Sequence, residues 1–318
     1  MTDAPLPLPS LSAALADASG PPVVLDGGLG THLAARGLDV TGQLWSAQVL
    51  REQPEQVRAA HADFFAAGAQ VATTCSYQVS ADGLVRAGAD AAELESLLRG
   101  SVALARAAAA QAPGGPRWVA ASVGPYGAGP GAGTEYDGAY GRSARELAAW
   151  HRPRLEILAD AGADALLLET VPSLPEAEAL LDLASALDLP ALLSVTLRPG
   201  TAEPMLGDGT PLRELGRLLE EVGSPTAVGV NCCPVADALA GVRMLSQLTD
   251  LPLLAYPNSG ETWDHRARTW IPGAAGEDLP GTAGALVTAG VRLIGGCCRV
   301  GPEQITRLAR TAREAGRG

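Results

Sequence analysis

The chain has 318 residues and is 47% hydrophobic, enough for one large core, and α/β barrels commonly reach this size as a single domain. Its formal net charge is −12, from 35 carboxylates against 23 basic residues, which argues against nucleic acid and anionic membrane as partners. All 23 basic residues are arginine, so Schiff-base chemistry on a lysine is excluded.

No apolar run approaches the ~20 residues of a membrane span. Met1 to Ser10 is proline-rich and lacks the basic start of a signal peptide. The expected setting is cytoplasmic and reducing, which suits free thiols. Residues 1–20 read as a loose N-terminal segment, and residues 21–318 as one domain.

From Val23 onward, short apolar runs alternate with longer amphipathic ones. Val23-Val24-Leu25 leads into Asp26-Gly27-Gly28. Glu55 to Ala67 reads as a helix with Val57, Ala60 and Phe64 on one face. Val71 to Cys75 is the second strand, Glu93 to Ala110 an alanine-rich helix, and Trp118 to Val123 the third strand. A glycine-rich loop, Gly127 to Gly141, precedes a helix over Ala144 to Ala161. Ala165 to Leu168 is a strand ending at Glu169-Thr170, and the next helix opens at Pro175, a favourable first helical position. Strands follow at Ala191 to Leu197, Ala227 to Val230, Leu251 to Tyr256 and Val291 to Ile294, with helical patterns between and after them. A second long loop, Pro257 to Gly276, follows the seventh strand.

Eight strands alternating with eight helices imply parallel βα units. Closed on itself, that is a TIM (β/α)8 barrel. An open doubly wound sheet would want a phosphate-binding fingerprint after its first strand, and Asp26-Gly-Gly-Leu-Gly30 has the wrong spacing. Asp26, Tyr77, Glu169, Cys232, Asn258 and Cys297-Cys298 all fall at or just past strand C-termini. In a barrel they share the catalytic face.

The cysteines are the unusual feature. Cys297-Cys298 follow Gly295-Gly296 at the end of the last strand, Cys232-Cys233 end the sixth, and Cys75 lies near the end of the second. Neighbouring side chains on a regular strand point to opposite faces, so one ion could not take both members of a pair. A break after Gly295-Gly296 removes that obstacle, because glycine adopts backbone angles closed to other residues. A third thiolate from Cys232 or Cys233 would complete three protein ligands with one open position, the pattern of catalytic zinc. The competing readings are small buried hydrophobes and disulfides, and an odd count with vicinal spacing fits disulfides poorly. Such a zinc suits holding a substrate thiol as thiolate, which points to alkyl transfer to sulfur. His32, His61, His151 and His265 are scattered, and only His265 falls in an active-face loop.

Motifs along nearly the whole chain resemble the homocysteine S-methyltransferase family: Asp26-Gly-Gly-Leu-Gly-Thr31, Leu44-Trp-Ser-Ala47, Thr73-Thr-Cys-Ser-Tyr-Gln78, Ser122-Val-Gly-Pro-Tyr-Gly127, Glu169-Thr-Val-Pro172, Gly229-Val-Asn-Cys-Cys233, Tyr256-Pro-Asn-Ser-Gly-Glu261 and Gly295-Gly-Cys-Cys-Arg299. The resemblance implies zinc on Cys232, Cys297 and Cys298, with homocysteine as acceptor and its amino group near Asp26 and Glu169. Neither Cys233 nor Cys75 matches a ligand position. Tyr77, Trp45, Asn231 and Asn258 are further candidate substrate contacts, Trp45 and Tyr77 through their ring faces against a cationic donor. The stretches Leu44 to Ala47 and Tyr256 to Glu261 resemble members that use the sulfonium donors S-methylmethionine or S-adenosylmethionine. The expected function is methyl transfer from such a donor to homocysteine, giving methionine. The alternatives are betaine or another onium donor, selenocysteine as acceptor, or a non-catalytic zinc-binding barrel.

Overall fold

The computed structural model describes residues 9–42, 44–129, 134–223, 225–260, 262–264, 269–271 and 279–315. In chain order its strands are β1 (Val23–Val24), β2 (Val71–Thr73), β3 (Trp118–Val123), β4 (Ala165–Val171), β5 (Ala191–Val195), β6 (Ala227–Asn231), β7 (Leu253–Tyr256), β8 (Thr262–Asp264), β9 (Thr269–Ile271) and β10 (Val291–Ile294). Eight of them form one parallel sheet in the order β1-β10-β7-β6-β5-β4-β3-β2, and a parallel bridge from Leu25 to Val71 joins its two ends. This is the expected TIM barrel.

Strand alternation builds two cores. On β4, Ala165 and Leu167 point into the barrel with Leu192, Leu254 and Leu293, whereas Leu166 and Leu168 point out into the cluster shared with the helices. The outer helices include Pro54–Ala66, Glu93–Gln111, Ala144–Ala159 and Leu174–Ser185. The helix Ala144–Ala159 starts on a capping box in which Ser143 accepts from Glu146 N–H and the Glu146 side chain accepts from Ser143 N–H. Among the described residues no helix is long and apolar enough to cross a membrane.

Three expectations need correction. The N-terminal segment is not loose throughout, since Leu11–Ala16 is a helix capped by Ser10. Its Leu11 and Leu15 enter the interior core, worth about 1.5–3 kcal/mol for each leucine buried. Trp118 Nε1 donates to Pro9 O at 3.1 Å, and Arg292 donates to the carbonyls of Asp17 and Gly20. The segment therefore plugs the barrel end opposite the cysteines. Secondly, β1 is followed by three helices rather than one: Leu29–Ala35, Ser46–Glu52 and Pro54–Ala66. Thirdly, the expected loop after β7 carries an antiparallel pair, β8 with β9. His265 and residues 261, 266–268 and 272–276 of that loop lie outside the described residues, as do 1–8 and 130–133.

Candidate active site

Among the described residues four non-glycine positions have positive φ: Trp45 (47°), Thr170 (59°), Cys232 (52°) and Arg299 (62°). Thr170 lies near the C-terminal end of β4, Cys232 directly follows β6, Arg299 follows β10, and Trp45 precedes the helix Ser46–Glu52 in the connection after β1. Such backbone costs about 1–3 kcal/mol per residue and persists only where the surroundings impose it.

At Cys232 the surroundings are explicit. Strand β6 ends at Asn231, whose Oδ1 accepts from Thr170 N at 2.9 Å and Ser194 Oγ at 2.7 Å, while Nδ2 donates to Thr170 Oγ1 at 2.8 Å. Asn231 is fully buried. It fastens the end of β6 to an irregularity in β4, where the register shifts between Leu168 and Val171. Such an irregularity re-aims a side chain, and here that side chain is Glu169. The left-handed step at Cys232 then separates the pair: the Cys232 sulfur joins the cysteine cluster and Cys233 packs into the outer core.

At the other pair, Gly295 and Gly296 act by close approach, not by unusual dihedrals, and neither has positive φ. A Cβ on Gly295 would come within 2.7 Å of Leu25 Cβ, and one on Gly296 within 2.2 Å of Val300 Cγ1. The chain instead turns at Arg299. Asn258 Oδ1 accepts from Cys298 N–H at 3.1 Å, and Pro257 O accepts from Cys297 N–H at 2.8 Å, so the loop after β7 holds both cysteines by their backbone.

The Sγ atoms of Cys232, Cys297 and Cys298 lie within 4.8 Å of one another, with Cys232 and Cys298 3.6 Å apart. Three sulfurs at about 2.3 Å from a tetrahedral ion would be about 3.8 Å apart, so the cluster fits a single soft metal ion. Cys232 is the thiol that ionises first, because hydrogen bonds from Cys297 and Cys298 converge on it and stabilise its thiolate. Burial pushes Cys75 up to about 12 and raises Cys233 further, which leaves both as inert thiols.

Two carboxylates stand beside the sulfurs. Asp26 accepts from Thr73 N and Thr73 Oγ1, each at 2.8 Å, and burial still lifts it to about 8. Glu169 accepts from Ser122 Oγ and, at 3.2 Å, from Tyr256 Oη. Burial, reinforced by the charge on Cys232, lifts Glu169 to about 7. The Glu169 charge in turn raises Asp26. Both buried acids are held above the ordinary carboxylate range, and a neighbouring positive charge would favour their ionised forms.

The sequence reading missed two residues on the loop after β3. Tyr136 Oη lies 3.3 Å from Cys232 Sγ, and Glu135 Oε1 accepts from Tyr77 Oη at 2.5 Å. Burial lifts Glu135 to about 7, and the charge on Cys232 adds to the effect. A polar and aromatic pair within a glycine-rich loop on the catalytic face was the available signal. The loop is clamped from below by Glu176 of the helix Leu174–Ser185. Glu176 Oε1 accepts from Tyr126 N at 2.6 Å and pairs with His151 Nε2 at 2.8 Å, while Oε2 accepts from Tyr140 Oη at 2.8 Å. His151 is therefore a structural partner of the loop, and His61 is buried with its pKa pushed down to about 4 by burial. Trp45 is half-buried at the start of the helix Ser46–Glu52, next to Ser46, whose Oγ donates to Gln78 Oε1 at 3.2 Å and whose carbonyl lies 3.4 Å from Cys75 Sγ.

A family model described as homocysteine S-methyltransferase matches residues 23–312. The homocysteine S-methyltransferase of Escherichia coli strain K12 is 44% identical over 295 residues, spanning 90% of this chain and 94% of its own. Homocysteine S-methyltransferase YbgG of Bacillus subtilis strain 168 is 38% identical over 307 residues, spanning 92% and 95%. The crystal structure of the E. coli homocysteine methyltransferase MmuM in its metallated form superposes with a TM-score of 0.80 at 42% identity, covering 91% of this chain and 95% of that one. Matched over nearly its whole length by that family model and by these relatives, the chain belongs to the homocysteine S-methyltransferase family.

Proposed function

We propose that this enzyme transfers a methyl group from a sulfonium donor, S-methylmethionine or S-adenosylmethionine, to the sulfur of homocysteine, forming methionine. The observation that carries the reading is the convergence of Cys232, Cys297 and Cys298 on one point beside Asp26 and Glu169. The three thiols would hold zinc, and zinc supplies one thing: it keeps a substrate thiol, otherwise mostly protonated at neutral pH, in its nucleophilic form.

The chain's own residues do the rest. Asp26 and Glu169 receive the homocysteine ammonium, and the ammonium keeps both ionised by offsetting the burial that raised them. Thr73, Ser122 and Tyr256 fix the two carboxylates by hydrogen bonds, so the acceptor arrives in one orientation. Asn231 and Asn258 act on the cysteines through the backbone. Tyr77 and Tyr136 line the approach with neutral rings, which tolerate a cation without giving it a nucleophile. A methyl on positively charged sulfur leaves as a neutral thioether, so no general acid is required. That suits a site whose tyrosines all sit far above the usual phenol range, through burial first and negative neighbours second.

The test is methionine formation from homocysteine with S-methylmethionine, S-adenosylmethionine or betaine, before and after zinc chelation. Methionine from a sulfonium donor, abolished by chelation and restored by zinc, is the expected result. Full activity in zinc-free protein would overturn the metal-thiolate mechanism, and turnover of betaine alone would overturn the donor.

A further inference from the structure

Asp26 and Glu169 leave one buried acid of the site without a task. Glu135 comes from the loop after β3, not from a strand end. Its Oε1 is held by Tyr77, and no hydrogen bond to its Oε2 is recorded among the described residues. The next residue, Tyr136, has its hydroxyl on Cys232. The backbone of this pair is wedged in place: a Cβ on Gly127 would lie 2.6 Å from Glu135 N, and one on Gly207 1.8 Å from Tyr136 O. Glu176 pins both ends of the loop, at Tyr126 and Tyr140. Glu135 is thus a carboxyl group held in one place beside the cluster, on the loop after β3.

The substrates supply the matching charges. Homocysteine brings one ammonium. A sulfonium amino acid brings two cationic centres, its sulfonium and its own ammonium. Of these, the sulfonium charge disappears in the reaction, when the S–CH3 bond breaks, its electron pair stays on the donor sulfur and the methyl bonds to the acceptor sulfur. A carboxylate placed on the sulfonium would stabilise the reactant more than the transition state and slow the step. A carboxylate on the donor ammonium meets the same charge before and after, which is uniform binding.

We propose that Glu135 is the donor-binding residue of this enzyme, its carboxylate, braced by Tyr77, pairing with the ammonium of the sulfonium amino acid. The assignment rests on the sulfonium reading given above. Tyr136 completes the subsite by spacing that amino acid from Cys232.

The test is Glu135→Gln, which keeps the shape and removes the charge, with Glu135→Asp as a second variant that keeps the charge. Steady-state kinetics are run with S-methylmethionine at saturating homocysteine, and with homocysteine at saturating donor. Methionine, which carries the ammonium but no sulfonium, serves as inhibitor against the donor. In Glu135→Gln the donor KM and the methionine inhibition constant rise together by about 30-fold or more, while kcat, the homocysteine KM and the thermal midpoint hold, and Glu135→Asp recovers part of the loss. A rise in the homocysteine KM would overturn the proposal by moving Glu135 to the acceptor side. Loss confined to the donor, with methionine inhibition unchanged, would place Glu135 on the sulfonium and overturn it too, as would no change in either. Failure of the wild-type protein to use any sulfonium would show separately that the donor reading itself is wrong.

Discussion

The two vicinal cysteine pairs resemble each other in sequence and differ in the fold. At Cys297-Cys298 both sulfurs enter the cluster, whereas at Cys232-Cys233 only the first does. The difference lies in where the backbone turns. The left-handed residue after β6 is Cys232 itself, so the chain reverses between the two sulfurs and sends Cys233 into the apolar shell. After β10 the left-handed residue is Arg299, beyond the pair, and both cysteines stay on the same side. Cysteine content alone therefore does not define the cluster; the position of one strained residue decides which thiol joins it.

Removing a ligand from the complete pair has the largest expected effect. Cys298→Ala leaves two thiolates, and methionine formation drops on the order of 10³-fold with loss of zinc, measured by elemental analysis beside the assay. Asn258→Ala leaves the ligands intact but frees the Cys298 N–H. Zinc affinity then falls about 10- to 100-fold, read by competition with a chelator. Asn231→Ala strikes the incomplete pair at its turn. It unpairs Thr170 and Ser194 in a fully buried setting and lowers stability by about 2–3 kcal/mol, seen as a reduced denaturation midpoint.

The pH dependence follows from the raised acids. Asp26, near 8, and Glu169, near 7, are protonated in the empty site at low pH and cannot receive an ammonium. The kcat/KM for homocysteine therefore climbs as pH rises from 6 to 8, and Asp26→Asn removes the upper part of that rise. Stability moves the other way. Folded pKa values above the unfolded carboxylate values mean that the folded protein holds more protons, so their stabilisation is complete below about 4 and is lost as pH rises through 7 and 8. Urea midpoints of the substrate-free protein record this trend. The smallest effect belongs to the thiol outside the cluster: Cys233→Ala keeps activity within about twofold and costs about 1 kcal/mol of packing.

The barrel was legible because its signal is periodic. Short apolar runs separated by amphipathic helices are dictated by burial, and burial is encoded residue by residue. The helix over Leu11–Ala16 escaped notice because six residues give too short a period to read. Its Ser10 cap and its two leucines four apart make sense only against an open barrel end. The role of Gly295-Gly296 was likewise misread, since the sequence shows that a side chain is missing and not which neighbour needs the space.

By itself the sequence determined the fold class, the face on which the chemistry collects, and the residue types available there: thiols and carboxylates, with no lysine. Those are properties of local pattern and composition. The family resemblance singled out Cys232 over Cys233, and only the tertiary structure gave the reason, a left-handed turn at Cys232; it alone decided that Asn231 and Asn258 work through backbone geometry, and that Glu135 and Tyr136 approach Cys232 from a loop more than 90 residues away in the chain. Such choices depend on distances between segments that share no sequence period, so they exist only once the barrel has closed.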